Sequence, residues 1–553
     1  VVVADPTAAT ARRVKADPGD AVDVAIVGAG LGGLLAGAVL ARRGLRVAVF
    51  DRHYVAGGCG TMFKRGPASS RWVFDVGMHY VGDAGPEGRV PAMLDAAGAD
   101  VAFRALDPEG YDRVHVPGAA LQIPWTIDAY RDALVDRFPH ERRGIDRYVS
   151  MLRQVSALSE ANLAADGQTD RSVIWTAVTR ALTAVRFQHA TAHDVVSRWV
   201  RDPVLYGLLF GLNGCYGVGP RRVSAMMHFG LCAHFFRGGY YPEGGGQRIA
   251  DALAGAIEAA GGTVCLRTGI RRIEVAGGVS GVTTDDGRTV AASAVISNAC
   301  VRRTLLELVP REALPTPARL TAEGWQMAVG IHLLSLGLRG SHEEAGIRRG
   351  NEWVTDSFEI DAMYDAIRDG DQSASCQYIT SGSAKDAGTP GHAPEGHCTL
   401  QAMTFVSGRP EHWGVTLEDL QTGRYRDRQA YKDRKRRLDD RLVARLDRLY
   451  GDLSSRIVFA ESATPLTHAR YTSATGGTAY GLEATPSQFL AGRPGPVGPV
   501  DGLFLAGAGT RTAHGIIGSL NSGWIAAKHA ATRLGKPLPE LQGWRRGRVV
   551  TPR

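Results

Sequence analysis

The string Gly28-Ala29-Gly30-Leu31-Gly32-Gly33 stands between an apolar run beginning at Val22 and a stretch at helical spacing, 34–43. Glycine at position 28 permits a tight turn. At 30 it lets the backbone approach a pyrophosphate, and at 33 it lets a helix press against a strand. The N-terminus of that helix would offer free N–H groups and a partial positive charge to phosphates. The next apolar run, 46–50, ends on Asp51, with Arg52 beside it, where an acid can hold ribose hydroxyls. A glycine-rich helix-packing turn is the alternative, but the flanking strand, helix and acid in register favour a dinucleotide loop.

These residues need a strand–turn–helix–strand unit, the size of a parallel crossover. The alternation is lost over 86–235, where helical stretches are expected at 171–187 and 196–212. A helix at 247–260 follows, then short strands over 263–290 joined by Gly-Gly and Asp-Gly turns, and a buried strand at 294–297. A second mixed insert spans 301–480, with a helix at 430–450 broken by Gly451. Residues 502–509 read as a strand entering a glycine turn before a last helix through Ala531. The expected organisation is an α/β nucleotide domain in three pieces (22–85, 236–300 and 481–535), interrupted by 86–235 and 301–480, which would build a discontinuous α+β substrate domain. Residues 1–21 and 536–553 read as peripheral tails.

Further motifs carry a resemblance. Gly57-Gly58 follows Asp51, Phe74-Asp75-Val76-Gly77 comes next, and a glycine-rich strand and helix close the chain. Together these are similar to the two-dinucleotide-binding-domain flavoproteins, which implies bound FAD on a Rossmann-type fold. On that basis Gly57, Gly58, Gly77, Ala506, Gly507, Gly518 and Ser519 would contribute to the cofactor site. A loop with a helix cap is the other reading of 507–518. GGCGTMF (57–63), FDVGMHYVG (74–82), YGVGPRRVSAMMH (216–228), GGYYPEGGGQRIADAL (238–253), AVISNA (294–299), SAKD (383–386) and ATPLTHARYTSATGGTAYGLE (463–483) resemble the retinol saturase, phytoene desaturase and carotenoid isomerase family. The match runs over roughly 22–530 in order. The segments at 57 and 74 are similar to the saturase branch, whereas LAGAGTRTAHGIIGS (505–519) is closer to the desaturases, leaving the reaction direction open. The resemblance implies an FAD-dependent oxidoreductase acting on C=C bonds of a hydrophobic polyene or isoprenoid. A reduced-flavin cis–trans isomerase is one alternative, and a non-enzymatic lipid carrier resembling the GDP-dissociation inhibitors is another. No second strand-linked glycine motif is present for a nicotinamide, so the electron donor or acceptor is unidentified.

Flavin chemistry requires the protein to position an alkene, exclude water and manage one proton. His79 and Tyr80 follow the segment that the family fold places beside the flavin, and a structural His79 bonded to backbone is the alternative. Tyr241 and Glu243 flank Pro242, with Glu243 read as a structural or cofactor-lining group. Lys385 could deliver a proton or fix an anionic substrate head, although an exposed lysine is the favoured reading. Tyr480 and His514 fall near the expected flavin face as substrate contacts. The stretch 199–210, with Met226, Met227, Phe229, Phe235 and Phe236, suits an apolar tunnel, yet ordinary helical core is favoured.

Composition narrows the rest. The 553-residue chain carries a net charge of +8, but its basic run at 424–448 is interleaved with acids and has no aromatic platform, which argues against nucleic-acid binding. Seven scattered cysteines form no C-x-x-C, so a disulfide framework or metal site is not expected, and a cytoplasmic setting is. The apolar stretch 24–41 is explained by its glycine pattern rather than as a membrane span. Basic charge would still assist peripheral contact with a membrane.

Overall fold

The computed structural model describes residues 17–67, 70–165, 171–373 and 376–544; most of the two expected tails, 1–16 and 545–553, lies outside the described residues. The strand Ala21–Val27 pairs in parallel with Val47–Phe50 on one side and Thr289–Ser297 on the other. Thr263–Cys265 extends the sheet beyond Val47–Phe50, and Leu503–Leu505 joins the C-terminal end of Thr289–Ser297, both in parallel. Strands buried on both faces are continuously apolar, and Val24, Ala25 and Ile26 are fully buried. Two antiparallel strands, Val279–Thr284 and Ile270–Val275, complete this seven-stranded sheet.

The helices Leu31–Arg42, Gln247–Ala259 and Gly515–Arg533 pack together on one face. The first and last approach so closely that a Cβ at Gly523 would lie 2.0 Å from the Gly32 carbonyl oxygen. Substitution of Gly523 would force these two helices apart.

A second seven-stranded sheet runs Ile457–Ala463, Gly330–Arg339, His397–Val406, Cys376–Thr380, Asn351–Thr355, Asp112–Val116, Ala119–Ile123. It is antiparallel except where Asn351–Thr355 meets Asp112–Val116. The helix Gln429–Tyr450 covers one face through Leu442 and Leu446, which pack with Leu336 and Leu400. Gly451, at φ +64, ends that helix as expected. A small sheet, Val81–Gly82, Gly239–Pro242 and Phe103–Ala105, ties the segment after Asp75 to the Y-P-E-G-G segment.

Local differences from the expectations have local causes. The 171–187 stretch is two helices, Arg171–Arg180 and Leu182–Arg186, broken at Ala181. The 196–212 stretch starts late, at Pro203, because proline has no N–H to donate into an earlier turn and Asp202 caps Val204 and Leu205. Residues 536–544, read as periphery, pack on the nucleotide-side helices. Lys536 donates to the Gly44 carbonyl, Leu538 is buried, and the Arg89 guanidinium lies 4.4 Å from the Trp544 ring centre. Among the described residues no helix is long and apolar enough to cross a membrane.

Candidate active site

The chain turns between Val27 and Leu31 in the space of three residues. Gly28 takes φ +98 and donates its N–H to the Phe50 carbonyl at 2.8 Å. A Cβ at Gly33 would sit 2.2 Å from the Gly28 carbonyl oxygen, so helix and strand meet there without side-chain space. The Asp51 carboxylate is held from two sides, accepting from the Ala29 N–H at 2.7 Å and the His53 N–H at 2.8 Å. The second glycine pair is clamped onto the first loop, with the Gly57 N–H donating to the Ala29 carbonyl at 2.7 Å and Gly57 at φ +126. Arg52 turns outward and donates to the Ser473 hydroxyl.

Asn298, one residue past the strand Thr289–Ser297, is a central member of the site that sequence reasoning missed. It was visible within the AVISNA segment, but a lone asparagine at a strand end carries no pattern of its own. Its N–H donates to the Val27 carbonyl at 2.8 Å, and its side chain lies against Gly30, Gly32 and Gly507. A Cβ at Gly30 would come within 2.6 Å of Asn298 Nδ2. Gly507, at φ +92, donates its N–H to Ser522 Oγ at 2.6 Å. The helix Gly515–Arg533 then opens with no side-chain cap, and Gly515, Ile516 and Ile517 line the adjoining cavity. Such an end leaves backbone N–H groups free for an acceptor.

The cavity measures about 2920 Å³ and takes its wall from both large sheets. A single small-molecule site is roughly 300–1,000 Å³, so this space admits a dinucleotide and a second ligand together. Gly28, Gly30, Leu31, Asp51, Arg52, Gly57, Gly58, Gly77, Gly507 and Ser519 line it, as do His79, Tyr80, Tyr480 and His514. Gly33, Gly518, Ala506, Tyr241 and Lys385 stand behind the wall. Gly518 lies in the first turn of the last helix, where a Cβ would meet the Ala513 carbonyl oxygen at 2.6 Å. The residues present fit FAD. Asn298 Oδ1, His79 Nδ1 and His514 Nδ1 are buried without a hydrogen-bond partner among the described residues, and the glycine cradle would be filled by any Cβ.

The apolar wall comes mainly from the second sheet. Ile331, Leu333, Trp353, Met403 and Phe405 reach the cavity, whereas of the helical stretch proposed as a tunnel only Phe235 does. Met226, Met227, Phe229 and Phe236 are core residues. Tyr480 and His514 face each other at 4.8 Å between ring centres. His514 Nε2 is 2.7 Å from the Cys215 carbonyl, which can only accept, so Nε2 carries the proton and Nδ1 is an acceptor. Burial, with Arg493 nearby, holds His514 at about 4. Burial and then the charge of Lys385 hold His79 at about 3. Both imidazoles are therefore neutral near pH 7.

Lys385 corrects the expectation of an exposed lysine: it is 1% exposed. Its ammonium donates to the His79 carbonyl at 2.6 Å, to Asn351 Oδ1 and to Thr380 Oγ1, which uses all three protons. The strand Asn351–Thr355 and the strand Cys376–Thr380 bring those partners together from far apart in sequence, so no local pattern marks them. Burial lowers Lys385 to about 7, against the opposing pull of Asp112 and Asp75. Asp112, fully buried, accepts from Asn351 Nδ2 at 2.6 Å and from the Tyr80 hydroxyl at 3.0 Å. Burial pushes it up to about 6. Tyr80 stacks on Phe235 at 4.5 Å, and its hydroxyl lies 3.9 Å from Cys215 Sγ on the cavity wall. Tyr241 donates to Asp75, which also accepts the Gly246 N–H at 3.1 Å. Glu243 pairs with Arg104 at 3.2 Å.

The chain is similar over most of its length to several known proteins. The all-trans-retinol 13,14-reductase of Danio rerio is 27% identical over 90% of this chain and 83% of its own. Prolycopene isomerase 1, chloroplastic, of an Oncidium hybrid cultivar is 24% identical over 95% and 87%. Among solved structures, cyclohexylamine oxidase from Brevibacterium oxydans superposes with a TM-score of 0.59 at 17% identity, covering 93% of this chain and 100% of that one. Putrescine oxidase bound to putrescine gives 0.58 at 15%, covering 93% and 99%. At such identities the last two show the fold. The model of the flavin containing amine oxidoreductases matches residues 31–531, and the chain belongs to that family as an FAD-dependent oxidoreductase.

Proposed function

We propose that this flavoprotein transfers a hydrogen pair to or from a C=C bond of a hydrophobic polyene or isoprenoid, with saturation the principal direction. The carrying observation is one cavity that joins the dinucleotide loop to an apolar wall, with His79 and Tyr80 on its lining and Lys385 and Asp112 buried behind them. Support comes also from the similarity of the chain to all-trans-retinol 13,14-reductases. FAD, when bound, supplies the ring that exchanges hydride with a substrate carbon. The chain's own part is to place the alkene, keep water out and exchange one proton.

His79 is held neutral by burial and by Lys385, so it serves as a hydrogen-bonding group rather than as a cationic acid. The proton falls to Tyr80. Its hydroxyl sits between Cys215 on the wall and Asp112 behind it, and burial keeps it protonated. Asp112, pushed up by burial and bonded to that hydroxyl, returns a proton to it, while Lys385 fixes Asp112 in place through Asn351. Peripheral contact with a membrane is the route by which such a substrate reaches the cavity, and the electrons come from or leave to an external partner.

The test is anaerobic photoreduction of the holoprotein followed by addition of polyene and prenyl substrates. The reading expects reoxidation by at least one of them, slowed on the order of tenfold or more by Tyr80→Phe, the usual span for a general acid. Reoxidation by none of them, with oxygen still reoxidising the protein, would overturn it. The prolycopene isomerase relatives favour a second reading, non-redox cis–trans isomerisation in the same cavity.

A further inference from the structure

The helices Arg171–Arg180 and Leu182–Arg186 turn large apolar side chains outward. Ile174, Trp175, Val178 and Leu182 are 53%, 69%, 58% and 64% exposed, while Val173, Ala181 and Ala184 face inward. At about 100° per residue, Ile174, Val178 and Trp175 share one side of the first helix. Single exposed apolar residues are ordinary on a monomer, and the other large ones here are scattered along the chain. Four in a run of nine positions are not ordinary, and they form a patch that water does not favour.

Charge identifies what covers the patch. From 171 to 193 the sequence has no Asp or Glu, and Arg171, Arg180 and Arg186 are exposed beside the apolar residues. An apolar face with tryptophan and arginine at its edge is suited to the boundary between lipid headgroups and acyl chains, with the cations attracting anionic lipid. The exposed charges of this segment, Arg171, Arg180 and Arg186, are all cationic, which favours a surface of anionic headgroups lying over hydrocarbon as the occupant.

The position relative to the cavity is consistent with this. These helices pack on Arg142–Ala164, which packs on Ala225–Phe235, and Leu231, His234 and Phe235 of that last helix line the cavity.

We infer that 171–186 is a docking surface for an anionic lipid bilayer, inserted only to headgroup depth. It gives a location to the membrane contact proposed above and rests on that reading for its purpose, but its measurement needs no substrate. The FAD-loaded protein is sedimented with vesicles of phosphatidylcholine alone or with roughly one-third phosphatidylglycerol. Expected is co-sedimentation with the anionic vesicles, weakened at high salt. The variant Ile174→Ser, Trp175→Ser, Val178→Ser, Leu182→Ser and the variant Arg180→Glu, Arg186→Glu should each bind on the order of tenfold less or weaker.

Retained flavin absorbance confirms folding of both variants, and each should turn over detergent-dispersed substrate like wild type. Loss of turnover without loss of vesicle binding would fault the catalytic reading alone. Unchanged vesicle binding by either variant, or no binding by wild type, would overturn the docking surface. So would a wild-type dimer that the serine variant converts to monomer, which would make the patch an interface between copies.

Discussion

The glycine loop and the wall behind His79 treat buried polar groups in opposite ways. Around Gly28–Gly33 the chain removes side chains and leaves donors and acceptors without partners, as at Asn298 Oδ1 and the uncapped start of the helix Gly515–Arg533. Around Lys385 the ionic groups have found theirs: three acceptors for the ammonium, and Asn351 and Tyr80 for the Asp112 carboxylate. A binding surface must keep its valences open for a ligand, whereas a buried ionic group is tolerable only when its valences are closed. The loop thus owes its function to what is missing, and the wall to what is matched.

The contrast breaks most sharply at Gly33. A side chain there has nowhere to go, with the Gly28 carbonyl oxygen 2.2 Å from the Cβ position, so Gly33→Val should push the first helix off its strand. Protein that is folded by circular dichroism but carries no flavin absorbance after desalting is the expected outcome; full FAD content would show that the loop is not the cofactor cradle.

In the wall the largest effect falls on stability. Lys385→Met takes the lysine charge away from buried Asp112 and removes one of three donors to Asn351 Oδ1, a loss of about 1–3 kcal/mol, read by urea denaturation. Adding Asp112→Asn should recover part of it.

The same lysine sets a pH dependence. Its folded value, about 7, lies below that of an unfolded lysine, so between the two the unfolded chain holds a proton that the folded chain has released. Stability therefore rises with pH through that window, by up to about 1.4 kcal/mol per pH unit. Lys385→Met should flatten this limb; an unchanged slope would place the lysine in water.

Asp51→Asn sharpens the other side of the comparison with a smaller effect. The amide cannot accept from both Ala29 and His53 through two oxygens, so one charge-assisted bond is lost. FAD should bind roughly 10- to 100-fold more weakly in equilibrium titration, matching about 1.5–3 kcal/mol.

The two regions also differed in how far the sequence revealed them. The loop was legible because its constraint is local: turn geometry and close approach select glycine at fixed spacing, and Asp51 follows at the end of the next strand. The strand–helix order near both ends of the chain was readable for the same reason. Lys385 was not, since its burial is decided by Asn351, Thr380 and Asp112, which only the second sheet brings together. Asn298 belongs with Lys385, because its role appears only when Gly507 closes over it. The helical stretch 199–210 and its neighbours were read as core in preference to a tunnel, and most of them are; the apolar wall comes largely from strands such as His397–Val406, because an apolar run does not say which cavity it faces.

The central claim is that this single cavity carries out hydrogen-pair chemistry on an alkene. Its most direct test is the mass of the product formed when a polyene is incubated with the anaerobically photoreduced holoprotein. The account predicts a product heavier by one hydrogen pair and lacking one double bond of the conjugated system. A product of unchanged mass with altered double-bond geometry would contradict it and leave the isomerase reading in its place.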